Sequence, residues 1–340
     1  MLKLEHMNIS NLESILKSEP AFRLKQAKEA IYKLLITDWS QALNLPENLR
    51  AELNKDCSLE IEAQVLESKD KKSVKAAITL EDGLKIETVL LRHGDRNTVC
   101  VSSQVGCPLG CLFCATGQNG YKRNLEIEEI IEQVLFFNRY LKPLGEKVDN
   151  LVFMGMGEPF LNYENVLGAI KLLNSGETFN IGARHISIST IGIIPGIQNL
   201  AKEKLQINLA ISLHAPSDDL RSQIIPFNQK YGLKNLIDAV ADYLNKTKRQ
   251  VMFEYIMLEH FNDSSDQALE LGDLLKPLAR HLYIVNLIQY NPTHGFNPSA
   301  PLVIKKFQAV LAREGIKSTI RLRLGREVKG SCGQLVGDLE

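Results

Sequence analysis

Three cysteines stand out by their spacing. Cys107, Cys111 and Cys114 lie in GCPLGCLFCA, a C-x3-C-x2-C arrangement directly after the strand-like run TVCVSS. Thiolates ligate iron well, and a tight loop can turn three of them toward one iron–sulfur cubane, leaving one of its four irons open to a chelating substrate. Zinc is the rival reading. A structural zinc site takes four ligands, commonly from two separated C-x2-C pairs, whereas this single group of three has no histidine nearby. Three buried thiols are the plain alternative, because free cysteine is often buried. Spacing and strand context together favour the cluster.

Three cysteines lie outside this group. Cys332 sits in GSCG, a glycine-flanked context unsuited to a core thiol, while Cys57 in NKDCSLEI reads as structural. Cys100 stands on the strand-like run itself, seven residues before Cys107. Six cysteines in 340 residues are too few for a disulfide scaffold. Reduced thiols with metal or catalytic roles fit better.

The elements that must position these groups follow from the apolar pattern. From Thr98 onward the chain alternates strand-like runs with amphipathic stretches. The runs are TVCVSS, NLVFMGM, HISIST, INLAISL, QVMFEYIML and LYIVNLIQY. The stretches are Glu126–Leu141, Val166–Asn174, Ile194–Lys204, Lys234–Asn245, Asp266–Leu275 and Ile304–Glu314. Strands apolar along their length, each followed by a helix, imply a parallel sheet covered by helices. Six such units fit a partial (β/α)6 barrel better than a full eight-stranded one. A last strand, STIRLRL, precedes a glycine-rich tail. Ahead of the barrel, Leu12–Leu16 and Phe22–Leu35 read as helices, and Leu59–Leu91 as a small sheet ended by the polar turn RHGDRN. The expected fold is therefore α/β: a small α+β accessory domain over 1–95, a partial barrel over 96–320 and a C-terminal segment over 321–340.

Several polar positions fall at or just beyond the C-terminal ends of predicted strands: Gly157, Glu158, Ser189, Ser212, His214 and Asn291. Barrel enzymes gather their sites on that face. Glycine admits close backbone approach and a carboxylate pairs with an ammonium group, although a strand-to-helix turn would also use Gly157.

Composition sets outer bounds. Apolar residues make up 44% of the chain, and no apolar run approaches the ~20 residues that cross a bilayer. The first twenty residues include acidic side chains and no cleavable apolar stretch, so a cytoplasmic protein is expected. Forty basic and forty acidic residues cancel, which neither suggests nor excludes nucleic acid, since a local basic patch suffices. Basic groups occur at Arg23–Lys28, Lys122–Arg123, Lys246–Arg249 and Arg321–Lys329. The last holds Arg321, Arg323, Arg326 and Lys329 against Glu327, a net +3 leading into Cys332. It could grip phosphates while presenting the thiol.

An ordered series of motifs narrows the reading. CVSSQVGCPLGCLFCATG followed by KRNL, MGMGEP, SISTIGIIP, SLHAPSDDLRSQIIPFN, YNP and SCGQLVGD resembles the RlmN/Cfr family of radical-SAM RNA methyltransferases. The resemblance runs from about Ile86 to the C-terminus, and FRLKQAKEAIYK also fits. It implies a [4Fe-4S] cluster on Cys107, Cys111 and Cys114, and S-adenosyl-L-methionine (SAM) held by Gly157, Glu158, Ser189, Ser212, His214 and Asn291. It implies that Cys332 carries an S-methyl intermediate, that Cys100 resolves the RNA adduct through a transient disulfide with Cys332, and that Glu87 in KIETV is a proton acceptor. The chemical need for a protein thiol is plain. An adenine ring carbon is electron-poor and cannot attack a methyl sulfonium, whereas a thiolate can.

The family methylates carbon 2 or carbon 8 of an RNA adenine, the latter conferring antibiotic resistance. The expectation here is carbon 2 in 23S ribosomal RNA, with transfer RNA as a further substrate. An electron donor such as flavodoxin or ferredoxin, no membrane and a monomeric enzyme complete the expectation. A non-catalytic RNA-binding protein with a structural cluster would have no use for both Cys100 and Cys332. A radical-SAM enzyme with a non-RNA substrate is opposed by the basic approach to Cys332. The sequence departs from the family at that approach: GREVKGSCGQL stands where an acidic stretch such as GDDIDAACGQL is typical, so the chemistry is retained and the RNA target is set apart from it.

Overall fold

The computed structural model describes residues 11–293, 295–321 and 324–337. Its frame is one ten-stranded sheet. Strands β1 (Ala63–Glu67), β2 (Ser73–Thr79), β3 (Lys85–His93) and β4 (Arg96–Cys100) form an antiparallel meander. Strands β5 (Gln104–Gly106) and β6 (Tyr121–Asn124) make a separate two-stranded ribbon around the cysteine loop. The main sheet continues from β4 through β7 (Asn150–Phe153), β8 (Ile186–Thr190), β9 (Asn208–Ser212), β10 (Val251–Met257), β11 (Tyr283–Gln289) and β12 (Ser318–Ile320). From β4 to β12 every pairing is parallel and follows chain order.

Each of the strands β4, β7, β8, β9, β10 and β11 leads to a helix, at 127–141, 163–174, 194–200, 233–247, 265–275 and 301–313. This is the partial (β/α)6 barrel expected from the alternation, with β12 added as a further parallel strand. β12 is shorter than the predicted STIRLRL, and Leu322 and Arg323 lie outside the described residues. Two helix starts are written locally: Glu126 with Glu129, and Ser264 with Gln267, form reciprocal capping boxes that satisfy otherwise orphaned backbone N–H groups.

The turn RHGDRN joins β3 to β4 as a hairpin, so the accessory strands continue the barrel's own sheet instead of forming a second one. Ahead of the sheet, the helix Glu47–Asp56 packs against the turn holding buried Trp39, whose indole N–H donates to the Cys57 carbonyl at 2.7 Å. Cys57 is fully buried there.

Period-two alternation sorts the barrel strands into two faces. On β8, Ile186, Ile188 and Thr190 are buried while Ser187 and Ser189 are half-buried. The register then aligns Ser212 with Glu254 and Glu254 with Asn286, and Asn286 with Thr319, so one face of β9 to β12 carries a row of polar side chains. Among the described residues no helix is long and apolar enough to cross a membrane.

Candidate active site

The cysteine loop hangs from the β5–β6 ribbon. Gly106 has φ +77°, and a Cβ there would lie 2.0 Å from the Gly120 carbonyl oxygen, so the ribbon closes only with glycine. Past the ribbon, Cys107 and Cys114 are partly exposed and Cys111 is buried. All three line one cavity. Gly157, Glu158, Ser189, Ser212, His214 and Cys332 line the same cavity, which gathers nine of the sequence-predicted residues on the C-terminal rim of the strands.

The donor set fits the expected cluster. The three thiols line one cavity, and in a cubane each iron can take its own thiolate, leaving the fourth iron open to a ligand. Burial pushes the Cys107 thiol up to about 12 and holds Cys111 well above its ordinary value, against a small opposing pull from Arg221. Such thiols ionise when a bound cation compensates them.

Glu158 follows a glycine that is sterically fixed. Gly157 has φ +98°, and a Cβ would sit 2.5 Å from the Cβ of Gln104. The Glu158 carboxylate accepts the Phe160 N–H at 3.0 Å through one oxygen and the Ile191 N–H at 2.8 Å through the other, tying the end of β7 to the end of β8. Burial nevertheless pushes it up to about 7, partly offset by those bonds. Both oxygens retain lone pairs for a ligand. Glu158 is thus both the turn residue and a cavity wall.

Ser189 and Ser212 lie with their hydroxyls 3.2 Å apart. His214 holds a left-handed backbone, φ +63°, and its Nδ1 accepts the Ile256 N–H at 3.1 Å. That bond leaves the proton on Nε2. Burial pushes His214 down to about 3, with the neighbouring Arg221 charge acting in the same sense, so the ring is neutral.

A second cavity adjoins the first, with Cys100, Asn291 and Gln289 in its wall. Cys332 and Arg321 line both cavities. Asn291 stands apart from the other predicted SAM contacts: it faces the second cavity, and its side-chain amide donates to the Cys332 carbonyl at 3.4 Å. Glu87 lines neither cavity. It is fully buried on β3, paired with Lys75 at 2.8 Å.

The segment bearing Cys332 has neither helix nor strand. Polar bonds fasten it to the helical turn after the cysteine loop: Ala115 N–H to Gly333 O at 2.8 Å, Thr116 Oγ1 to Leu335 O at 2.7 Å, and Asn119 Nδ2 to Val336 O at 3.3 Å. The Cys332 side chain is exposed where the two cavities meet. Burial raises the Cys100 thiol, and the Arg321 guanidinium opposes that rise and favours the thiolate of Cys332 as well.

Some members of the site escape the sequence reading. Glu254 on β10 is buried, receives the Asn286 amide at 2.9 Å and pairs with Arg321 at 3.1 Å. Arg321 is therefore committed to the cavity wall, contrary to the expectation that it grips phosphate. Arg221 is buried and donates to the carbonyls of Leu213, Ile191 and Ser212 and to Asn228. A signal existed for Glu254 and Asn286: each is a lone polar residue inside an apolar parallel strand. The other basic groups are also partly committed, Arg123 to Asp82 and Glu129, and Arg249 to the Leu205 carbonyl. Arg326 and Lys329 are exposed, and Arg323 lies outside the described residues.

Residues 101–272 match the radical SAM superfamily. Over 332 residues the chain is 43% identical to a protein of Dictyoglomus thermophilum named a probable dual-specificity RNA methyltransferase RlmN, covering 96% of this chain and 94% of that one. A ribosomal RNA large subunit methyltransferase N of Nitrosopumilus maritimus is 41% identical, covering 94% and 93%. A solved radical SAM methyltransferase from Sphaerobacter thermophilus superposes with a TM-score of 0.92 at 39% identity, covering 99% of this chain and 100% of that chain.

Proposed function

Because this chain belongs to the RlmN family of radical SAM methyltransferases, we propose that it methylates carbon 2 of an adenosine in 23S ribosomal RNA, with transfer RNA as a second substrate. One observation carries the reading beyond the family name. Cys332 lies where the cavity lined by the cysteine triad meets the cavity lined by Cys100. A methyl carrier must reach both a methyl source and an acceptor, and this thiol borders both spaces.

When bound at Cys107, Cys111 and Cys114, a [4Fe-4S] cluster supplies the electron for reductive cleavage of SAM. Gly157, Glu158, Ser189, Ser212 and His214 line the space in which SAM is held. Glu158 offers its free lone pairs to an ammonium, the serine hydroxyls offer donors and acceptors, and neutral His214 donates from Nε2. Cys332 accepts the methyl group on sulfur, with the Arg321 guanidinium favouring its thiolate. After losing one hydrogen atom to the product of SAM cleavage, the S-methyl carbon bonds to the adenine ring carbon, which gives up its proton and one electron. The Cys100 thiolate then attacks the Cys332 sulfur, forming a disulfide as the bond from sulfur to the product carbon breaks and that carbon takes up a proton. An external reductant restores both thiols.

The adenosine reaches the second cavity unstacked, as base-modifying enzymes require. Arg326 and Lys329, exposed on the segment leading into Cys332, would contact phosphates. A one-electron donor of the flavodoxin or ferredoxin type, action as a monomer and a cytoplasmic setting complete the proposal.

The deciding experiment incubates the anaerobically reconstituted protein with SAM, a reductant and ribosomal or transfer RNA lacking the modification. Nucleosides are then resolved by mass spectrometry against 2- and 8-methyladenosine standards. The expected product is 2-methyladenosine. Appearance of 8-methyladenosine moves the reaction to carbon 8, and absence of both overturns the reading.

A further inference from the structure

The buried pair of Lys75 and Glu87 has a third partner. Their strands are antiparallel neighbours in which Ala77 stands opposite Glu87, so Lys75 reaches the carboxylate diagonally on the same face. One oxygen of Glu87 accepts from Lys75 Nζ at 2.8 Å, and the other accepts the Val336 N–H at 2.9 Å. Val336 lies four residues beyond Cys332. Just past it, a Cβ on Gly337 would meet the Lys85 carbonyl oxygen at 3.0 Å, so the segment presses against the start of β3. The side chains of both partners are almost wholly shielded from water, at 2% and 0% exposure. An ion pair so shielded is stable only with close geometry and further hydrogen bonds, and the Val336 N–H supplies one.

We propose that Glu87, held by Lys75, is a positioning residue: its carboxylate latches the C-terminal segment through the Val336 N–H and so sets Cys332 at the junction of the two cavities. The inference rests on the reading of Cys332 as the methyl acceptor. It gives the accessory strands a part in the chemistry, because β2 and β3 carry the latch while the barrel carries the cavity walls.

Removing one charge of a buried pair strands the other and threatens folding, so the test compares two charge-free double variants. K75M/E87Q keeps a side-chain carbonyl able to accept from Val336, whereas K75M/E87M has none. The first readout is the rate at which Cys332 acquires a methyl group from SAM, followed by mass spectrometry of its peptide. No ring proton is lost in that step, so a base role for Glu87 leaves it unmoved. The second is amide hydrogen exchange of the 331–337 peptide, which needs neither cluster nor RNA.

K75M/E87Q is expected to methylate Cys332 about tenfold faster than K75M/E87M, the factor that one hydrogen bond of ordinary net strength provides. It is also expected to retain protection of the 331–337 peptide that K75M/E87M loses. Equal methylation rates with equal exchange overturn the latch. If the wild-type protein leaves Cys332 unmethylated, the reading of the reaction fails instead, while exchange still reports on the latch by itself.

Discussion

The rim of the barrel and the C-terminal segment meet at one site but are held by different forces. Ser189, Ser212 and Glu254 stand on strands hydrogen-bonded on both sides and backed by buried Ile188, Ile211 and Phe253. Their positions are over-determined, because moving one means disturbing the whole sheet. Cys332 stands on irregular backbone fastened by separate polar bonds from Ala115, Thr116, Asn119, Asn291 and Glu87. Each such bond contributes only ~1 kcal/mol. The fixed wall suits the proposed holding of a cofactor, and the lightly fastened segment suits the proposed methyl carrier, which would face two cavities in turn.

Breaking the segment's chemistry has the largest expected effect. Cys332→Ser removes the thiol while leaving the backbone bonds in place. RNA methylation is expected to fall to background with an unchanged melting temperature; residual product at a substantial rate would falsify a carrier role for this residue.

Breaking the frame is expected to do the reverse. Arg221→Met leaves the carbonyls of Leu213, Ile191 and Ser212 without their guanidinium donor. The expected loss is about 3 kcal/mol of stability, read from the urea midpoint. A shift below about 0.5 kcal/mol would mean that the sheet alone sets the rim.

His214 sharpens the contrast through pH. It is a base whose value falls from 6.5 to about 3 on folding. The unfolded chain takes up the proton first, so the stability His214 lends is complete above pH 6.5 and is lost as pH falls toward 3. Between pH 6.5 and 5 the wild type is expected to lose about 2 kcal/mol more than a His214→Asn variant. Parallel denaturation curves across that range would contradict a neutral buried ring.

The smallest effect is expected from Thr116→Val. It removes one segment bond, to the Leu335 carbonyl, and keeps the side-chain volume. Global stability should change by about 1 kcal/mol or less. Hydrogen exchange of the 331–337 peptide should nonetheless quicken severalfold, separating segment from frame.

The strands of the barrel were legible because buried parallel strands are written as apolar runs, and the rim residues because they follow those runs in short motifs. Glu254 and Asn286 were legible in principle, each being a polar interruption of such a run. Lys75 was not: in VKAAITL it reads as an ordinary solvent-facing strand lysine, and only its place beside Glu87 makes it buried. Arg321 was misread for the same reason. Its basic neighbours suggested a phosphate contact, while its partner, Glu254, lies 67 residues earlier in the chain.

By itself, then, the sequence determined the six strand-helix units, the cysteine spacing and the glycines at 106 and 157, since these depend on local periodicity and on backbone conformations that few residues adopt. Tertiary structure alone decided which charges pair, that Asn291 faces the second cavity, and that Cys332 stands where the two cavities meet. Those outcomes depend on groups far apart in the chain, whose burial and partners exist only once the sheet has brought them together.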